Sequence, residues 1–210
     1  MNTESTIAEL RAAVAAAATP TERANALNQL AQKLEQQSQY PESLAAAEEA
    51  YELAQQAGEL SIQAQALRLQ GVVHLRRGKY SEALRLLEGS QKLYDNIGDR
   101  SGVARATGNI GVVCQSLGDY SKSLEYFTSA LALHEELGQR FGVAGITGNI
   151  GTVYQSLGEY GKSLEYFARA IALYEELGER SGVASDIPPK KSIGSYEGVA
   201  CRRSNSAGVL

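Results

Sequence analysis

Residues Gly98 to Leu137 read GDRSGVARATGNIGVVCQSLGDYSKSLEYFTSALALHEEL, and Gly138 to Leu177 read GQRFGVAGITGNIGTVYQSLGEYGKSLEYFARAIALYEEL. The two stretches agree at 28 of 40 positions without a gap. A further step of 40 residues toward the N-terminus weakens the match but keeps its frame. Gly58, Gly98, Gly138 and Gly178 share a column, as do Tyr40, Tyr80, Tyr120 and Tyr160, and Leu44, Leu84, Leu124 and Leu164. A fixed period of this length marks a solenoid, in which each unit buries its apolar face only against its neighbours.

Within each unit the apolar residues recur at helical spacing in two segments, which predicts a helical hairpin. In the third unit the helices are expected near 101–117 and 121–137, joined by Gly118-Asp119-Tyr120. Gly118 and Gly158 stand where a helix takes a left-handed C-terminal cap, with Ser81 and Ser121 placed to cap the helix that follows. Gly98, Gly138 and Gly178 would close the second helices in the same way. Gly111 and Gly151 are different, because they fall in mid-helix opposite the small residues Ser123 and Ser163. A missing side chain there lets two helices approach closely. Gly71 and Ala31 fill that column earlier, while Phe127, Phe167, Leu87 and Ala47 face the hairpin interior from the second helix. Ala50, Ser90, Ala130 and Ala170 leave room for the next unit.

Composition agrees with helices: the chain has 210 residues, no Trp, four Pro, and much Ala, Leu, Glu and Gln. A formal charge of −4 with dispersed basic residues lacks the field that draws a protein onto nucleic acid. Cys114 lies in an apolar helical stretch far from Cys201, which reads as a reduced thiol and a cytoplasmic setting. The N-terminus has no basic region of the kind that opens a signal peptide, and no stretch reaches the roughly 18 apolar residues of a membrane span.

The small-x-x-aromatic-x-x-x-Gly-x-Tyr-x-x-small-x-x-x-aromatic-x-x-Ala pattern resembles the tetratricopeptide repeat. In unit four it is Gly151, Tyr154, Gly158, Tyr160, Ser163, Phe167 and Ala170; in unit three Gly111, Cys114, Gly118, Tyr120, Ser123, Phe127 and Ala130. The period departs from that family's usual 34, and the longer form with Asn before the Ile-Gly pair looks like the repeats of kinesin light chains and of peptide-holding polarity adaptors. Similar arrays precede cyclase or kinase modules in bacterial signalling proteins. The resemblance implies an all-α, right-handed superhelical solenoid of antiparallel hairpins, with about four repeats after an N-terminal helix. The frame then gives a capping helix over 1–19, repeats over 20–57, 58–97, 98–137 and 138–177, an aborted fifth repeat over 178–185 and a disordered tail over 186–210.

Arrays of this family hold peptides in a concave groove lined by the first helix of each hairpin. The residues expected to face it are Asn25, Asn28, Gln29 and Gln32, then Arg68 and Arg76, then Arg105, Asn109 and Gln115, then Asn149 and Gln155. In the resembling arrays an Asn at the place of Asn109 and Asn149 hydrogen-bonds the ligand backbone. A carboxamide offers a donor and an acceptor together, although both residues also read as solvated polar positions. Arg68, Arg76 and Arg105 would favour an acidic peptide or a free carboxylate, or would pair with acids of the array. Gly108 and Gly148 either flatten the groove wall or are tolerated by packing.

The tyrosine column at 40, 80, 120 and 160 is expected to pack at the hinge. His74 and Cys114 replace the aromatic Tyr154 in their column, so neither reads as a metal ligand. The chain has no phosphate loop, nucleophile elbow or zinc-protease helix. Glu135-Glu136 and Glu175-Glu176 recur with the period and read as scaffold. The reading is a binding scaffold that is not an enzyme and needs no cofactor, with a regulatory arm of a larger signalling enzyme as the alternative. After Ala184 the period stops, which reads as a docking tail or as a frame change inside a longer array. Stopping there would leave an uncapped end able to self-associate.

Overall fold

The computed structural model describes residues 6–178. Among them nine helices follow in order: α1 Ile7–Ala16, α2 Pro20–Gln36, α3 Tyr40–Ala57, α4 Leu60–Arg76, α5 Tyr80–Asn96, α6 Arg100–Ser116, α7 Tyr120–Glu136, α8 Arg140–Ser156 and α9 Tyr160–Glu176. No strand occurs among the described residues. Of the segments expected at the C-terminal end, only Gly178 falls within the described residues.

Local signals account for the boundaries. Reciprocal capping boxes open α1 at Thr6 and Glu9 and α2 at Thr19 and Glu22, with Pro20 in the first turn of α2. The carboxylates of Asp99 and Asp119 accept the N–H groups of Gly102 at 2.8 Å and Lys122 at 3.2 Å, opening α6 and α7. The expected serine caps are therefore corrected. Ser81 and Ser121 lie inside α5 and α7, because each of these helices starts at the tyrosine before its serine. The glycine punctuation is as expected: Gly118 has φ +79° and Gly158 +76°, the left-handed region that closes a helix at least cost without a side chain. Ser38 fills the same role in the first hairpin at φ +59°.

The chain divides into two compact units, Met1–Gly142 and Val143–Leu210, with the division inside α8. In the first unit the hairpins are α2/α3, α4/α5 and α6/α7, and each second helix packs on the first helix of the next hairpin. First helices also touch one another, α2 with α4 and α4 with α6, whereas second helices do not. Within this unit α2, α4 and α6 therefore form the tighter, inner layer. α1 covers the open side of the first hairpin, where Leu10 joins Leu30 and Leu34.

Two kinds of interlocking fill the interfaces. Inside hairpins a large side chain of the second helix occupies a hole in the first. A Cβ added at Gly111 would lie 2.7 Å from the Phe127 ring, and one at Gly71 would lie 2.7 Å from Leu87. In the second unit a Cβ at Gly151 would meet the Phe167 ring at 2.9 Å. The glycine backbone also accepts a bond, from the Ser123 hydroxyl to the Gly111 carbonyl at 2.9 Å; Ser43 does the same to Ala31 at 2.7 Å. Between hairpins the exchange is reciprocal. Tyr94 and His134 fill the space left by Gly102 and Gly142, whereas one period earlier Ala54 meets Ile62. His134 is fixed further by Gln139, 2.7 Å from its Nδ1, and the Gln139 amide donates to Ser101 at 2.7 Å.

The tyrosine column packs less completely than expected. Tyr80 lies against the Ala83, Leu87 and Ile110 cluster, but Tyr160 is 50% exposed.

These interfaces set a double-mutant test. Gly102→Ile should destabilise by about 1–3 kcal/mol through overpacking, and Tyr94→Ala by about 3–5 kcal/mol through a cavity. Together they recreate the Ala54–Ile62 pair, so the combined urea-midpoint loss should be smaller than the sum by at least about 1 kcal/mol. Strict additivity would refute the interlock. Gly161→Ala, where an added Cβ meets nothing within 4 Å, should leave stability unchanged or raise it by up to about 1 kcal/mol.

Candidate functional site

The inner layer of the first unit carries most of the expected groove residues, and the structure sorts them. Asn25, Gln29 and Gln32 are exposed on α2. Asn28 is a correction: it is 0% exposed, and its amide donates to the Ile62 carbonyl at 3.1 Å, tying α2 to α4. Its helix face is covered by the next hairpin, and position alone did not reveal that. Arg76 is exposed but engaged, with its Nε 3.3 Å from Glu35.

Arg68 and Arg105 come together on Tyr94. The Arg105 guanidinium stands 5.9 Å from the Tyr94 ring centroid, a cation–π distance. Its Nε makes a long bond of 3.4 Å to the Ser101 carbonyl. Arg68 lies close enough to Tyr94 for each to shift the other's ionisation, while its own Nε is buried without a partner. Burial pushes the Arg68 pKa down, the phenol opposes this, and the charge of Arg105 adds to the depression. Burial raises the Tyr94 pKa, while both arginines pull it back. The ring is 2% exposed and held by Gly102 beneath it. Sequence position did not single out Tyr94. Its signal was the coupling of an aromatic at 94 and 134 with glycine at 102 and 142.

Asn109 on α6 and Asn149 on α8 occupy the same column in separate units, and each is half-buried. Neither carboxamide has a hydrogen-bond partner among the described residues. Gln115 is half-buried and Gln155 exposed. Gly108 and Gly148 are buried, which agrees with the packing alternative. Cys114 is a buried free thiol whose pKa is raised chiefly by burial. No helix among the described residues is long and apolar enough to cross a membrane.

Residues 22–96, 62–136 and 102–176 each match the tetratricopeptide repeat model. The chain belongs to the tetratricopeptide repeat family. No curated protein matches it. Among solved structures it is similar to a Rap protein complexed with competence and sporulation factor, at 21% identity and TM-score 0.75, over 81% of this chain and 48% of that one. It is also similar to aspartyl phosphate phosphatase F from Bacillus subtilis, at 20% identity and TM-score 0.70, over 78% and 43%. The tetratricopeptide-like repeats of a putative kinesin light chain from Podosopora anserina give 12% identity and TM-score 0.59, over 82% and 86%. The chain spans less than half the length of the first two structures. At these identities the likeness is one of fold.

One packed histidine has its ionisation shifted by its surroundings. Burial, then the charge of Lys79, holds His74 below its ordinary pKa, with Glu82 opposing. The folded state thus disfavours the protonated ring. The stabilising preference for neutral His74 is complete above the unfolded pKa of about 6.5 and is lost as pH falls from there through the lower folded value. Melting temperature should drop between pH 7.5 and 5.5. His74→Phe, carrying an aromatic as Tyr154 does in this column, should show a smaller drop over the same range.

Proposed function

We propose that this repeat scaffold holds a peptide, or an extended segment of a partner protein, against the first helices of its hairpins. The observation that carries the reading is the pair of half-buried, unpartnered carboxamides at Asn109 and Asn149. Their amide atoms still reach solvent and no bond within the array competes for them. Each can donate to one peptide carbonyl and accept one peptide N–H, an interaction indifferent to ligand side chains. The Rap protein of similar fold was solved with a factor bound, which supports the same use of the fold here. The expected arginines add a preference for acidic ligands. The scaffold does no chemistry of its own.

Peptides selected from a random display library against the whole chain should bind at least about tenfold more weakly to the Asn109→Ala/Asn149→Ala protein, since two lost bonds are together worth roughly 1–3 kcal/mol. The melting temperature should barely move, because neither amide holds the fold together. Full retention of binding by the double variant would place the ligand elsewhere.

A further inference from the structure

We infer that the seam between α5 and α6 carries a binding cleft for one small zwitterion, an α-amino acid with a short apolar side chain. The cleft uses none of the residues invoked for peptide holding and so goes beyond that reading.

The cleft has a volume of about 230 Å³ and is lined by Gln91, Lys92 and Asp95 of α5 and by Val103 of α6. At about 30 Å³ per water molecule, that is room for a small amino acid. The lining departs from the repeat. The column of Gln91 holds Tyr51, Leu131 and Ile171, and that of Lys92 holds Glu52, Ala132 and Ala172. A feature serving the repeat would recur with it, as the capping glycines do. Only the second hairpin places a carboxamide and an ammonium at these two positions.

The polar groups of the cleft are oriented and still have bonds to make. The Gln91 amide donates to the Thr107 hydroxyl at 2.7 Å, and that hydroxyl donates to the Val103 carbonyl at 2.8 Å. Thr107 is buried on α6, so the bond holds the Gln91 carboxamide across the seam. It uses the NH₂ end and leaves Oε1 as an acceptor with no protein partner among the described residues. Lys92 and Asp95 stand one helical turn apart, at neighbouring surface positions, yet form no ion pair among the described residues. At the same spacing Asp119 pairs with Lys122 at 3.0 Å and Glu159 with Lys162 at 2.6 Å.

These groups select the ligand by charge. An anion alone would meet Lys92 but stand beside the Asp95 carboxylate, and a cation alone reverses the conflict. A zwitterion answers both. Its carboxylate accepts from the Lys92 ammonium, and its own ammonium donates to Asp95 and to Gln91 Oε1, all as charge-assisted bonds. Val103 supplies the apolar wall for a side chain. The molecule that carries one ammonium, one carboxylate and one short apolar group within this volume is an α-amino acid.

The test follows the Gln91 side-chain amide and Val103 methyl resonances by NMR in the full chain at constant ionic strength. Probes are L-valine, N-acetyl-L-valine without the ammonium, L-valinamide without the carboxylate, and 4-aminobutanoate with its charges further apart. The expected result is a saturable shift with L-valine on the order of millimolar, and saturation at least about tenfold weaker with each of the others. Lys92 is exposed, so Lys92→Gln should keep the amide spectrum of the folded chain and weaken L-valine binding by at least about tenfold. Gln91→Leu installs the side chain that Leu131 carries in this column and should abolish the Val103 shift. Unmoved resonances, equal saturation by N-acetyl-L-valine or L-valinamide, or full binding by Lys92→Gln overturns the site. Tighter saturation by 4-aminobutanoate overturns the α-amino assignment. The Asn109→Ala/Asn149→Ala protein should bind L-valine as the parent chain does, so this site and the peptide-holding reading fail separately.

Discussion

The packing inside and between hairpins depends on a glycine in one helix receiving a large side chain from another. A helix backbone without Cβ atoms presents a flat spot, and Phe127 over Gly111 or Leu87 over Gly71 brings two helices to a separation that branched side chains on both would prevent. The glycine loses helix propensity, and the dispersion contacts of a buried ring more than offset the loss. Serine hydroxyls bonded to helix carbonyls, such as Ser123 on Gly111, add direction to what would otherwise be a sliding contact. The first helices α2, α4 and α6 also touch one another in order.

Much of this was legible in the sequence because the period supplies its own alignment. Four copies of one unit show which positions must stay small and which must be left-handed, and hairpins, glycine caps and the interior place of Phe127 follow from that comparison. Helix starts were displaced by one residue at α6 and α7, since Asp99 and Asp119 mark the boundary and the serine two residues on does not. The site was less legible. Asn28 and Arg68 share a column, yet the first is sealed against Ile62 while the second stays half-buried beside a tyrosine. Column membership gives the helix face. What covers that face depends on the neighbouring hairpin, whose side chains at 94 and 62 differ between copies.

Polar groups in the array thus fall into two populations. Asn28, Gln63, Gln70 and Ser90 spend their hydrogen bonds on backbone carbonyls of adjoining helices, at 3.1, 3.1, 3.1 and 2.7 Å. They belong to the fold, and their loss would leave buried acceptors bare. Asn109, Asn149 and the Arg68 Nε have no such bond among the described residues. A bond to the carbonyl of an adjoining helix, more than exposure, separates side chains that hold the scaffold from those free to hold something else.

The exchange of Ala54 and Ile62 for Tyr94 and Gly102 gives the first seam a shape different from the second, whose form His134 and Gly142 repeat. A hairpin ending in a bulky ring fits only a successor with a flat first turn, and one ending in alanine needs a branched residue to fill the gap. Exchanging hairpins across the first junction would leave a void at one seam and a collision at another, so an array built from copies still fixes which hairpin comes first.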